Sequence, residues 1–269
     1  MIYCIWYPSG GFGHFVNSVI TLYGVNFTRP KNKTVKFSAT GDSHAQELVA
    51  PRYLQNPKNY NFDFDDQFNY SVLIDNGINN QGKQFLQTFP TAKVIKLCYS
   101  DQSWPVVALT MFNKAMKTSV DSELNIFEWN TDRDWARREK YFLFLRDHNL
   151  RHQWRQDAQA HNIFIEDLLD YDQFNIGLKG AGIKLDNFKS LWDQWYTVNF
   201  QYFEPVIIAK KIVNQINNNE SVDLTLIKDR WTQAVVYYFL WLEFEQEVPH
   251  NDYSDFFKDT NQIKKWLKI

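Results

Sequence analysis

The chain has 269 residues, with 29 Lys and Arg against 31 Asp and Glu for a formal charge of −2, and 44% of its residues are hydrophobic. A protein that tracks a phosphate backbone needs a clear excess of cations, so a dedicated nucleic-acid binder is set aside first. The apolar content and low net charge also exclude a disordered chain, and the 17% of Phe, Trp and Tyr implies a core rich in large rings.

In chain order, Ile2 to Tyr7 is an apolar run that stops at Pro8-Ser9-Gly10-Gly11. It is too short for a secretory leader, lacks a basic start and predicts a first β-strand. In His14 to Tyr23, Phe15, Val19 and Leu22 recur at helical spacing and predict a helix. Thr34 to Ala39 predicts a second strand and Ser43 to Val49 a short helix; Ser71 to Ile74, Lys93 to Cys98 and Asn162 to Ile165 predict further strands, with a helix at Gln84 to Phe89. Several of these strands are almost continuously apolar, as parallel strands covered on both faces are. Alternation of strand and helix predicts an α/β fold, a doubly wound, mainly parallel sheet of the P-loop kind over 1–131. Residues 132–269 form a helical extension that completes the same single domain.

In that second part the helices are expected at Asp134 to Asp147, Asn187 to Asn199 and Ser221 to Phe244, with a loop at Gln215 to Glu220 and a closing helix in Ser254 to Ile269. Their aromatic stripes, Phe188-Leu191-Trp192-Trp195 among them, read as core. Cys4 and Cys98 both lie in apolar strands, which implies buried thiols, no disulfide and a reducing, cytoplasmic setting. The longest apolar run, Ala234 to Leu242, falls short of the ~20 residues that span a bilayer, so no membrane partner is expected.

The stretch richest in chemistry is Pro8-Ser9-Gly10-Gly11-Phe12-Gly13-His14-Phe15-Val16-Asn17. A strand that feeds a glycine-rich turn opening a helix can bind an anion, because backbone N–H groups and the helix dipole both face it. It is not a Walker A loop, since the residue after Gly13 is His14 and not Lys. A general base for transfer to a hydroxyl or amine has to stand near the same sheet edge. Asp42-Ser43-His44 follows the second predicted strand and supplies the candidates, His44 as base and Asp42 as its orienter or substitute, with His14 as a donor to the ligand's oxyanion. No metal site is expected.

Tyr7-Pro8-Ser9-Gly10-Gly11-Phe12-Gly13 resembles the phosphosulfate loop of PAPS-dependent sulfotransferases. Ala92 to Asp101 with the following Trp104 to Met111 is similar to the strand and helix that hold the 3′-phosphate in that family, and His161 to Leu169 to a later strand end. The resemblance implies PAPS as donor and a small-molecule or glycan acceptor. It also implies donor contacts from Ser9, Gly10, Gly11, Phe12, Gly13, His14 and Asn17 and from Ser100 and Ser103. Four positions depart from the family: its loop Lys is Ser9, its two loop Thr are Phe12 and Gly13, and the Arg of its 3′-phosphate motif is absent from Tyr99 to Ser103. Each such charge-assisted contact is worth ~1.5–3 kcal/mol, so replacement cations are sought among Lys83, Arg146 and Arg151. Gly10 to His14 is also similar to the turn of fucosyl-type glycosyltransferases, whose later His-x-Arg-Arg-x-Asp strand has no counterpart here. A fold that keeps the turn and has lost donor chemistry is the non-catalytic alternative.

Overall fold

The structure is a computed structural model that describes residues 1–8, 11–27, 67–75, 81–99, 104–110, 156–246 and 257–268, together with 139, 142, 143 and 146. Its contacts group the chain into two compact units, the first made of Met1–Ser100 and His148–Phe200 and the second of Asp101–Asp147 and Gln201–Ile269.

The first unit is built on four strands: β1 (Ile2–Tyr7), β2 (Tyr70–Asp75), β3 (Lys93–Cys98) and β4 (His161–Phe164). They form one sheet in the order β2-β1-β3-β4, and every pairing is parallel. The register sets Trp6 beside both Ile74 and Lys96, and Lys96 beside Asn162. Parallel neighbours need a crossover, and helices α1 (Gly13–Tyr23) and α2 (Gln81–Thr88) lie within the first two. The expected α/β character and parallel sheet are therefore present. β1 and β3 have the expected bounds, β2 is longer by one residue at each end, and β4 stops at Phe164 because Ile165 opens a 3-10 turn, Ile165–Leu169.

Successive side chains of a strand point to opposite faces. Cys4, Val72 and Ile74 share one face and form a buried cluster with Phe85 of α2, flanked by Trp6 and Phe89. Tyr7 faces the other way and its ring lies against Gly13 of α1, while Ile163 on that face lies against Gly177 of α3 (Tyr171–Gly180). Asp170 caps α3, its carboxylate accepting from the N–H groups of Asp172 and Gln173. His161 Nε2 and the Gly177 carbonyl, 2.7 Å apart, tie α3 to β4.

Helix α4 (Lys189–Asn217) passes from the first unit into the second. Phe188, Leu191, Trp192 and Trp195 are all buried, in line with the core reading of that stripe. The expected Gln215 to Glu220 loop is shorter than anticipated, because Gln215–Asn217 complete the helix; the polar Asn run is tolerated there since it ends the last turn. The second unit also contains a helical stretch at 104–110, α5 (Arg230–Phe244) and α6 (Thr260–Leu267). The expected helix at Ser221 starts instead at Arg230, where the Asp229 carboxylate caps it by accepting from the Thr232 N–H. Asp223 closes a separate 3-10 turn, Leu224–Leu226, ahead of it. Asp and Thr bond their neighbouring backbone more readily than they continue a helix, which explains the late start. Phe142, Tyr238 and Trp241 make an aromatic cluster in this unit, with Phe142 stacked 4.3 Å from Tyr238.

Candidate functional site

Between β1 and β3 the strand order reverses: the chain leaves β1 for β2 on one side and β3 for β4 on the other. In open parallel sheets the carboxyl ends of strands at such a reversal leave a crevice where ligands bind. The turn after β1 and the exit from β3 both belong to that edge.

Pro8 ends β1 and its carbonyl accepts from the Gly11 N–H at 2.7 Å, which closes a tight turn. A Cβ on Gly11 would stand 2.8 Å from Pro8 atoms, and one on Gly13 would stand 2.2 Å from the Tyr7 ring, so both glycines answer a close approach. Phe12 between them adopts a left-handed backbone, φ 64° and ψ 18°, and is the N-cap of α1 without giving it a side-chain hydrogen bond. A non-glycine residue in that region costs roughly 1–2 kcal/mol. Aromatic packing offsets it: the Phe12 ring meets Trp195 edge-on at 5.2 Å, and Trp195 stacks on Phe15 at 4.5 Å with an 8° tilt.

The first turn of α1 contains no acidic residue, so no carboxylate of its own compensates the positive end of the helix dipole. His14 is buried and its Nε2 lies 3.3 Å from the Tyr7 hydroxyl; its carbonyl accepts from the Ser18 hydroxyl. Asn17, one turn further on and on the same face as Gly13, is 1% exposed, and its Oδ1 has no hydrogen-bond partner among the described residues. Helical side chains lean toward the N-terminus, so this amide leans toward the turn.

At the exit of β3, burial pushes the Cys98 thiol up to about 12; Lys96 opposes that shift and Glu166 and Asp167 add to it. Asp167, on the 3-10 turn that leaves the carboxyl end of β4, is itself held above the usual carboxylate range by burial, against a hydrogen bond from the Phe164 backbone. Lys96 is only 3% exposed, and burial lowers its pKa while the Asp157 carboxylate pulls it back up. Sequence reasoning missed Lys96 because it interrupts a strand read as apolar; a lone cation between Ile95 and Leu97 was the available signal.

The structure thus brings Gly11, Phe12, Gly13, His14 and Asn17 together at one helix start. Ser9, Gly10, Asp42, His44, Ser100, Ser103 and Arg151 lie outside the described residues, as do the predicted strand at 34–39 and the predicted helix at 43–49. Of the replacement cations sought, Arg146 stands over the Trp241 ring of the second unit at 5.2 Å. Among the described residues no group of three His, Cys, Asp or Glu side chains is placed to hold a metal ion, and no helix is long and apolar enough to cross a membrane. The fold and this edge define the chain as an α/β protein with a parallel sheet. The sequence matches no family model, and neither curated proteins nor solved structures give a significant match.

Proposed function

We propose that the turn after β1 holds the phosphate or sulfate end of a nucleotide donor and that the protein is a sulfotransferase-like transferase acting on a hydroxyl or amine. The observation that supports this reading best is the start of α1: a helix N-terminus without side-chain cap or acid, at the strand-order reversal, with the buried Asn17 amide behind it. Asn17 fits a nucleotide donor through a hydroxyl or amino group of that donor, which would donate to the buried Oδ1; this oxygen is an acceptor that an anionic oxygen does not satisfy. PAPS, when bound, supplies the sulfonyl group. The residues of this chain would orient it at Gly11 to His14 and Asn17, and His44 or Asp42 would take the acceptor's proton as the acceptor bonds to sulfur and the bond from sulfur to the donor's phosphate oxygen breaks, the bisphosphate nucleotide leaving.

A second reading has its own support. The Gly11 N–H is committed to Pro8, and Gly13 is sealed under the Tyr7 ring, as expected of a turn kept for packing in a non-catalytic protein. Calorimetry with adenosine 3′,5′-bisphosphate separates the two. Micromolar binding that weakens at least tenfold in Asn17→Leu supports the donor site; Leu shares the branching of Asn at Cγ and is a good helix former but is larger, so an unchanged urea midpoint is required of the variant alongside its binding. Absence of heat up to millimolar ligand supports the packing turn and rejects the transferase.

A further inference from the structure

The second unit contains an open surface pocket of about 350 Å³ between the segment 224–233 and Phe257, lined by Leu224, Ile227, Lys228, Asp229, Arg230 and Gln233. That volume lies inside the range of about 300–1,000 Å³ usual for small-molecule sites. Its chemistry is two-sided. Leu224, Ile227 and Phe257 supply an apolar wall, and Lys228 and Arg230 supply two cations that form no salt bridge among the described residues. The acid between them is already engaged: Asp229 Oδ1 accepts from the Thr232 N–H at 2.8 Å and Oδ2 from the Thr232 hydroxyl at 3.1 Å, capping α5. Among the described residues the lining therefore holds two cations against one acid, a net positive charge beside an apolar surface.

We propose that this pocket binds a small amphipathic anion, a monocarboxylate with an apolar tail, at a site independent of the turn after β1. The carboxylate pairs with Arg230 and Lys228, and the tail covers Leu224, Ile227 and Phe257. An Arg fork suits a planar carboxylate, and the apolar wall selects for a tail that a bare inorganic anion lacks. Two cations and one acid in the lining favour an anion over a cation or a neutral alcohol.

Titration of the full-length protein with sodium octanoate, followed by calorimetry, tests this directly, with 1-octanol as the uncharged comparison. Saturable one-site binding of octanoate, at least tenfold tighter than octanol and at least tenfold weaker in the Lys228→Ala, Arg230→Ala double variant, is expected. Both cations are exposed and Asp229 is left to cap the helix, so the double variant keeps its melting temperature. Equal affinity for octanol and octanoate, an unchanged constant in the double variant, or no saturation by 10 mM overturns the proposal. Binding that also survives in Asn17→Leu keeps this site separate from the one after β1.

Discussion

Gly13 has the least room of any position in the candidate site, since a single methyl group would meet the buried Tyr7 ring at 2.2 Å. Gly13→Ala is expected to cost about 1–3 kcal/mol or more through overpacking, read as a lower urea midpoint with an unchanged slope. The thiols make a second prediction. Burial raises Cys4 and holds Cys98 at about 12, so neither is ionised near neutrality. The native protein should show no thiol reactive toward an aromatic disulfide reagent at pH 8, and both after denaturation in guanidinium. A folded-state pKa above the unfolded value, near 8.5 for Cys, contributes stability that is complete below that pH and is lost as pH climbs toward 12. Stability measured across pH 8–11 should accordingly fall less steeply in Cys98→Ala than in the wild type. Asn17 and His14 were legible in the sequence as members of a strand–turn–helix pattern; the bond distance between His14 and Tyr7 was not, because it depends on how the helix packs back over the strand.

Helix caps decide where elements begin. Asp170, Asp229 and Asp259 each accept from the first-turn backbone of their helices. Asp170→Ala is expected to destabilise the protein by about 1 kcal/mol and Asp170→Asn to restore most of it, measured by thermal unfolding. These caps also explain which element boundaries could be read. β1 and β3 were legible to the residue because Pro8 ends one apolar run and the polar Ser100-Asp101 of the sequence follows the other. The start of α5 was not, since Ile227 and Trp231 continue a helical apolar period through Asp223 and Asp229, whose side chains compete for the backbone. The length of α4 was also hidden: the helix expected at Asn187 to Asn199 runs on to Asn217 through Pro205, which removes one backbone hydrogen bond without ending it.

Over the whole molecule, parallel α/β character was legible from alternating periods, but the strand order was not, because pairing depends on contacts distant in sequence. A ligand that binds only the folded state stabilises it by about 2.7 kcal/mol at 100 times its dissociation constant. Adenosine 3′,5′-bisphosphate at that excess is expected to raise the melting temperature by about 5–10 °C, checked by differential scanning calorimetry. No shift would favour the packing turn. The clasp of Phe12 and Phe15 on Trp195 has a consequence for biosynthesis. Trp195 follows Phe12 by 183 positions, so at about 5–20 residues per second it leaves the ribosome roughly 9–37 s later. Until then Phe12 lacks the Trp195 ring that packs against it in the folded chain. The nascent N-terminal third therefore waits without the packing that completes the turn after β1, and a fragment ending before α4 should never acquire it.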